Sequence, residues 1–473
     1  MMGTSRPNIV FLLADDQRFD TIRALGNPLI QTPNLDRLVA RGTAFTQAHI
    51  PCGTVGAICM PSRAMIHTGR SLFHLENDGA GIPPAHALLG ETLRGAGYRS
   101  YGIGKWHNGP ASFNRSFEDG AEIFFGGMWD HWNVPVCDYD PSGKYASRIP
   151  IVLDPFHSNQ VQHVVADRVH SGVHSSELFT SRAVDFLTRV PADRPFFLSV
   201  AYLAPHDPRT MPERFQKLYD PARVPVPPNF LPEHPFDFFD TRGMRDENLA
   251  AFPRREEEIR RHLAEYWAMI SHLDDQLGRI VGRMESRGLL EETIIVFAGD
   301  NGLALGQHGL MGKQNLYEPS VRIPLVLAGP GIPAGETRGD WAYLFDLFPT
   351  LCDLTGIPVP PTVDGKSLAP CLKGGDAAHR DELYFAYTGF ARGVKHGGLK
   401  LMEYAAGPCG RKTQLFDLAR DPGEQIDLSA DPARASDLAG LRQRLLRLRD
   451  EWGDERHPLG KKFWEAYRAG SGA

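Results

Sequence analysis

The sequence predicts an α/β protein: a largely parallel sheet flanked by helices, followed by a smaller α+β unit with an antiparallel sheet. Three observations predict it. Apolar runs at residues 8–14, 98–103, 196–202, 293–298 and 322–328 are too short for helices. They read as strands buried in a parallel sheet. Helical patterns lie between them, and that alternation is the signature of a parallel α/β arrangement. After Gly356 the character changes: Pro358, Pro360 and Pro361 mark a joint, and short strands then alternate with Gly-rich turns.

The first run ends in Asp15-Asp16, so two carboxylates sit at the C-terminal end of a strand. Open α/β sheets place their ligands there. Thr32 as N-cap, Pro33 in the first turn and Gly42 as the stop define a helix. Cys59 follows at a loop-to-helix junction, with the helix beginning near Pro61. A helix around residues 88–94 leads through Gly97 to the 98–103 strand, which delivers Gly104-Lys105-Trp106-His107. Residues 108–171 are rich in Trp, Asp, Pro and Gly and have no period. They are expected to be long surface loops.

Residues 176–189 read as a helix. The 196–202 strand delivers Ala204-Pro205-His206-Asp207, and Pro-rich loops run on to 235. Over 256–286, Ile259, Leu263, Tyr266, Ile270, Leu273, Leu277, Ile280 and Met284 recur at steps of three and four. They make one apolar stripe facing a core. The 293–298 strand ends in Gly299-Asp300-Asn301. Strands near 383–387, 393–395, 399–403 and 414–418 form the antiparallel meander, and a helix over 433–452 closes it. The division predicted is 1–362 and 363–473.

At 473 residues the chain exceeds what one small core needs. Hydrophobic residues at 42% and charged residues at 23% are those of an ordinary globular protein. Net charge is −6 with no basic block, which argues against nucleic acid and anionic membrane as partners. An anionic small substrate needs only a few local cations. The six cysteines form no CxxC pair and imply no disulfide framework. The apolar run after Asn8 is too short for a signal-peptide core or a membrane span. As it stands the sequence reads as cytoplasmic; the same chain after removal of a signal peptide would be periplasmic.

Asp15, Asp16, Asp300 and Asn301 offer only oxygen ligands, which suit a hard cation such as Ca²⁺ or Mg²⁺. Lys105 and His107 stand two apart, so an extended segment turns both to one side. His206 follows a strand, and Lys313 follows the loop Gly306-Gln307-His308-Gly309-Leu310-Met311-Gly312.

Cys59-Met60-Pro61-Ser62-Arg63, with Thr68-Gly69-Arg70 after it, resembles the formylglycine-dependent (type I) sulfatase family of the alkaline phosphatase superfamily. Gly104-Lys105-Trp106-His107, Pro205-His206, Gly312-Lys313 and Leu316 to Pro324 extend the resemblance. So do Leu415-Phe416-Asp417-Leu418 and Asp421-Pro422, and it spans nearly the whole chain. The resemblance implies a large mixed, mostly parallel sheet sandwiched by helices, with a smaller C-terminal α+β domain. It implies that a formylglycine-generating enzyme, reading Thr-Gly-Arg, oxidises Cys59 to Cα-formylglycine. It implies Ca²⁺ on Asp15, Asp16, Asp300 and Asn301, and sulfate held by Arg63, Lys105 and Lys313. The hydrated aldehyde would attack sulfur, His206 with Lys313 would protonate the leaving alcohol, and His107 would take a proton from the second hydroxyl.

The substrate implied is a small-molecule or oligosaccharide sulfate ester, with a sulfated carbohydrate favoured. His308, Arg209, Asp207, His131 and Asp130 are candidate sugar-side contacts, and Trp129, Trp132 and Tyr139 candidate stacking surfaces. His49 and His67 are read as structural. Asn108-Gly109 departs from the family, where many members carry Leu after the histidine. Two other readings stand beside the sulfatase. One is a phosphonate monoester or phosphodiester hydrolase of the same superfamily. The other is a sulfated-glycan binding protein that keeps an unmodified Cys59.

Overall fold

The computed structural model describes residues 6–154, 156–374 and 379–470. Nine strands form the central sheet. Eight of them lie in the order Arg322–Ile323, Gly42–His49, Leu325–Ala328, Thr293–Gly299, Asn8–Ala14, Phe196–Ala201, Arg99–Lys105 and Asp119–Phe124. Glu336–Tyr343 also pairs with Gly42–His49. The five strands from Thr293–Gly299 to Asp119–Phe124 run parallel. The anticipated strand over 322–328 is two strands split at Pro324, and both run antiparallel to their neighbours. Proline has no N–H to give a ladder, so the chain must break there.

The first strand shows why the sheet is a sandwich. Ile9, Phe11 and Leu13 project into one core, with Met65, Ile66, Leu347 and Phe348. Val10, Leu12 and Ala14 project into the other, with Leu35, Leu178, Leu273 and Leu277. The period of two thus divides one apolar run between two helical layers. The Glu256–Ser286 helix has the bounds its stripe predicts. Its N-terminal half closes a third core with Met211, Phe215, Tyr219, Leu303 and Met311, which seats the loop leading to Lys313. The Thr32 side chain caps no N–H of the Pro33–Arg41 helix; its hydroxyl donates to Asp36 Oδ1 at 3.2 Å. Asp274 of the long helix caps Pro33–Arg41 instead, accepting from the N–H groups of Asn34 at 3.1 Å and Leu35 at 2.7 Å.

Residues 108–171 are more ordered than loops. They hold the helix Pro110–Ser116, the edge strand Asp119–Phe124, and hairpin-like pairs Asn133–Val136 with Arg168–Ser171 and Arg148–Ile151 with Gln162–Val165. Strands this short carry too few residues for a period to show.

The second sheet is the predicted meander: Glu382–Tyr387, Ala391–His396, Leu399–Tyr404 and Lys412–Asp417. Cys52–Gly53, far away in sequence, adds a fifth strand parallel to the first of these. The helix Ala435–Glu451 covers it, and an unanticipated helix, Pro458–Ala469, follows. That helix is anchored by buried Asp454, which accepts from Trp464 Nε1 at 2.8 Å and from Arg392 Nε at 2.6 Å.

Candidate active site

The parallel register decides where the polar strand ends meet. Ala14 pairs with Gly299, Leu13 with Ala201, and Ala201 with Gly104. Asp15-Asp16, Asp300-Asn301, Lys105 and His206 therefore leave one edge of the sheet together. Asp16 is left-handed, at φ 66°. Its backbone is pinned there: Tyr266 OH donates to its carbonyl at 2.6 Å, and its N–H donates to Asp300 Oδ1 at 3.0 Å. Gly104 is also left-handed, at φ 85°, and a Cβ there would lie 2.1 Å from the Ala201 carbonyl oxygen.

Cys59 opens the helix Cys59–Thr68 and points into this cluster. Its Sγ lies 3.5 Å from Lys105 Nζ and 3.5 Å from His107 Nδ1. Burial pushes the thiol pKa up, against the pull of Lys105 and Lys313. An unmodified Cys59 is therefore a protonated, weak nucleophile. Four residues on, Arg63 is fully buried. It donates to Asp300 Oδ2 and the Lys105 carbonyl, both at 2.8 Å, and lies 3.5 Å from Asp15 Oδ2. Arg63 thus faces the carboxylates and the backbone beneath them.

Lys105 is ion-paired to Asp15 Oδ2, and Lys313 Nζ to Asp16 Oδ1 at 2.6 Å. For Asp15 the burial penalty is outweighed by Lys105 and Arg63, which hold it well below the carboxylate range. For Asp300, burial and the adjacent Asp15 charge win, raising it to about 6. Burial alone would lower Lys313, but Asp16 holds it well above the usual lysine value. Burial, then Lys105 and Arg63, drive His107 well below the usual histidine value, so its imidazole is neutral.

These residues fit a hard cation. Asp15 Oδ1 and Asn301 Oδ1 are buried and accept no hydrogen bond. The ligand atoms of Asp15, Asp16 and His206 lie within 4.8 Å of one another, as do those of Asp15, Cys59 and Asp300. Orphaned buried oxygens beside two carboxylates call for a positive charge.

The family model described as Sulfatase matches residues 7–357. The chain belongs to the sulfatase family. It is accordingly a sulfuric ester hydrolase. A second model, N-sulphoglucosamine sulphohydrolase C-terminal, matches residues 306–451. The sulfatase is 26% identical to an N-acetylglucosamine-6-O-sulfatase of Bacteroides thetaiotaomicron, over 92% of this chain and 83% of that one. Among solved structures, the yidJ protein of Bacteroides fragilis superposes with a TM-score of 0.76 at 21% identity, covering 98% and 99% of the two chains. A phosphonate monoester hydrolase of Agrobacterium radiobacter superposes at 0.72 and 21%, covering 94% and 96%. The fold is thus the alkaline-phosphatase-like sandwich that the resemblance implied.

Ten candidate residues of this sulfatase lie together in the cluster: Cys59, Arg63, Lys105, His107, His206, Lys313, Asp15, Asp16, Asp300 and Asn301. The candidate sugar contacts fare differently. His308 is buried, stacked on Tyr317 at 3.8 Å between ring centroids, with Nε2 against Asn229 Nδ2 at 3.0 Å. His131 is fully buried and spends Nδ1 on Ser175 Oγ at 2.8 Å and Nε2 on the His206 carbonyl at 2.9 Å. Asp130 caps its own turn through the N–H of Trp132 at 3.0 Å. Both ring nitrogens of His131 are thus committed, whereas Asp130 is exposed. Asp207 is buried beside His206, and Arg209 donates to His262 Nδ1 at 2.8 Å.

Trp129 lines an apolar cavity of about 320 Å³ with Phe125, Met128 and Val164. The adjacent Gly127 backs onto the His107 ring. Trp132 packs edge-on to His174, and the Tyr139 hydroxyl donates to the Phe117 carbonyl at 3.1 Å. His49 and His67 are buried, the latter stacked on Trp106 at 4.2 Å.

Sequence reasoning missed Tyr266, which reads as one more apolar position in a helical stripe. It also missed Arg245, Asp246 and Gln314. Gln314 donates to Asp246 Oδ2 at 2.7 Å and to the Gly56 carbonyl at 2.9 Å, tying the segment after Lys313 to the loop before Cys59. No local pattern marks such residues; only their long-range partners do.

Proposed function

We propose that this sulfatase hydrolyses a sulfate ester on a carbohydrate, using Cys59 converted to Cα-formylglycine by a formylglycine-generating enzyme, with Ca²⁺ held by Asp15, Asp16, Asp300 and Asn301. The observation that carries the reading is the convergence of four parallel strand ends on Cys59, with Lys105 and His107 each 3.5 Å from its sulfur. Sγ stands in for the oxygen substituents that the modified residue would carry. The cation, when bound, would supply Lewis-acid polarisation and charge stabilisation. The modified residue would supply a hydroxyl nucleophile in place of a protonated thiol.

The chain's own residues have separable tasks. Lys105 and Lys313 are cations facing the nucleophile position, suited to hold sulfate oxygens and the charge that grows on them. Arg63 pairs with Asp15 and Asp300 and holds both carboxylates in place. Neutral His107, with Nδ1 on the residue-59 side, is ready to accept a proton there. His206 stands across the site, its Nε2 3.6 Å from Asp16 Oδ2, and is assigned to protonate the leaving alcohol.

The carbohydrate reading is supported by the glucosamine-sulfatase relative and by the aromatic-lined loops around Gly127. The phosphonate reading rests on likeness of fold. One experiment separates them. The protein is expressed with and without a formylglycine-generating enzyme, the residue-59 peptide is weighed, and turnover of sulfated sugars is compared with that of an aryl phosphonate. Aldehyde at residue 59 together with preferred release of sulfate supports the proposal. Full activity from Cys59→Ala, or a preference for the phosphonate, overturns it.

A further inference from the structure

A candidate proton donor is useful only if its ring points the right way, and His206 has two acceptors competing for one side of the ring. Its Nδ1 lies 2.8 Å from the Asp207 carbonyl oxygen and 3.4 Å from Asp207 Oδ1. With Nδ1 on the carbonyl, Nε2 faces the site. The rival acceptor is a buried carboxylate, its side chain only 6% exposed, and an unpaired buried carboxylate would draw any nearby donor. It is not unpaired. Arg245 grips both its oxygens, Nη1 to Oδ1 at 2.9 Å and Nη2 to Oδ2. Such a fork-on-fork pair is the strongest and most directional ion pair available to these side chains.

We propose that Arg245 is a positioning residue for His206. By satisfying the Asp207 carboxylate it leaves Nδ1 on the backbone carbonyl and Nε2 turned to the leaving group. Arg245 comes from a short segment 38 positions away in sequence and is itself 45% exposed. A guanidinium that open contributes little to the core; its buried end is the part that matters. Its neighbour Asp246 accepts from Gln314, next to Lys313. The Arg245-Asp246 pair therefore straddles the cleft from the His206 side to the Lys313 side.

The inference rests on the proposed role of His206 as the acid, and the test separates the two. Wild type, His206→Ala, Arg245→Ala, Arg245→Lys and the His206→Ala/Arg245→Ala pair are assayed on a sugar sulfate and on 4-nitrocatechol sulfate. Acid catalysis is worth about 10²–10⁴-fold and matters for a sugar alcohol, far less for a nitrophenol. Arg245→Ala is expected to lose about 10²-fold in kcat on the sugar ester and under about 5-fold on the aryl ester. KM should change little, Arg245→Lys should restore part of the loss, and the substitution should add nothing in the His206→Ala background.

Equal losses on both esters, or a rise in KM alone, would mean a scaffold or a substrate contact and would overturn the proposal. So would additive losses in the double variant. Should Arg245→Ala fail to fold, Asp207→Asn/Arg245→Gln removes the buried charge with its partner. That pair must then show a far smaller split between esters than Arg245→Lys or the proposal fails. If His206→Ala itself shows no split, the acid assignment falls; if it does and Arg245→Ala does not, Arg245 alone falls.

Discussion

Gly104→Ala tests how the strand edge positions Lys105. Gly104 sits at φ 85° immediately before that lysine, and an added Cβ would meet the Ala201 carbonyl oxygen at 2.1 Å and Phe179 at 3.0 Å. An ordinary contact is about 3.5 Å, so backbone must move by more than an ångström. The Ala201 carbonyl cannot yield easily, because Ala201 belongs to the strand that pairs with both neighbours. The left-handed conformation alone costs about 1–2 kcal/mol for a residue with a Cβ. Displacing Lys105 by about 1 Å is worth about 10²-fold in rate.

Gly97→Ala supplies the control. Gly97 is also left-handed, at φ 93°, but nothing lies within 4 Å of its Cβ position. It should lose about 1 kcal/mol of stability and keep near-normal kcat. Gly104→Ala should lose more stability and at least about 10²-fold in kcat on an aryl sulfate. Urea unfolding and initial rates on the two purified variants measure both. Equal behaviour of the two alanines, or full activity from Gly104→Ala, would refute the argument that the carbonyl clash sets the position of Lys105.

Three further outcomes are expected. Asp16→Ala and Asp300→Ala should each lower bound metal, read by elemental analysis, and remove any rise in melting temperature on adding Ca²⁺; retained metal would return these carboxylates to a capping role. His107→Ala should release about one equivalent of nitrophenol per site and then stall, because its task follows departure of the leaving group; steady slow turnover without a burst would contradict that order. Acid should destabilise the fold. Burial, aided by Arg63 for His67, lowers His67 to about 3, and burial likewise takes His272 and His308 to about 3, against about 6.5 in the unfolded chain. The unfolded state then binds more protons below pH 6.5, so this stability is complete above that pH and lost as pH falls towards 3. Between pH 7.5 and 5.5 each contributes a loss of about 1.4 kcal/mol, about 4 kcal/mol for the three. Urea midpoints that stay flat across that window would contradict neutral burial.

Much of this protein was legible in its order of residues. The apolar run from Asn8 to Ala14 announced a doubly buried strand, and the stripe of the long helix set its bounds at Glu256 and Ser286. Asp15, Asp16, Lys105, His206 and Asp300 could be picked out because each follows a recognisable strand. Cys59 and Arg63 stood in a motif too long to arise readily by chance. Local period, charge and spacing need only near neighbours in the chain, and a sequence displays those directly.

Tertiary structure alone decided the rest. It turned the 322–328 strands antiparallel, and it borrowed Cys52–Gly53 for the second sheet. It aimed Arg63 at Asp300, set Tyr266 on the Asp16 carbonyl 250 positions away, and committed His131 and His308 to buried partners. It also brought Arg245 onto Asp207, beside the ring of His206. Each of these depends on which distant groups share a low-dielectric space and which of their donors and acceptors remain unpaired. A buried carboxylate takes the nearest donor whatever its sequence number, so the pairing appears only when the chain has folded.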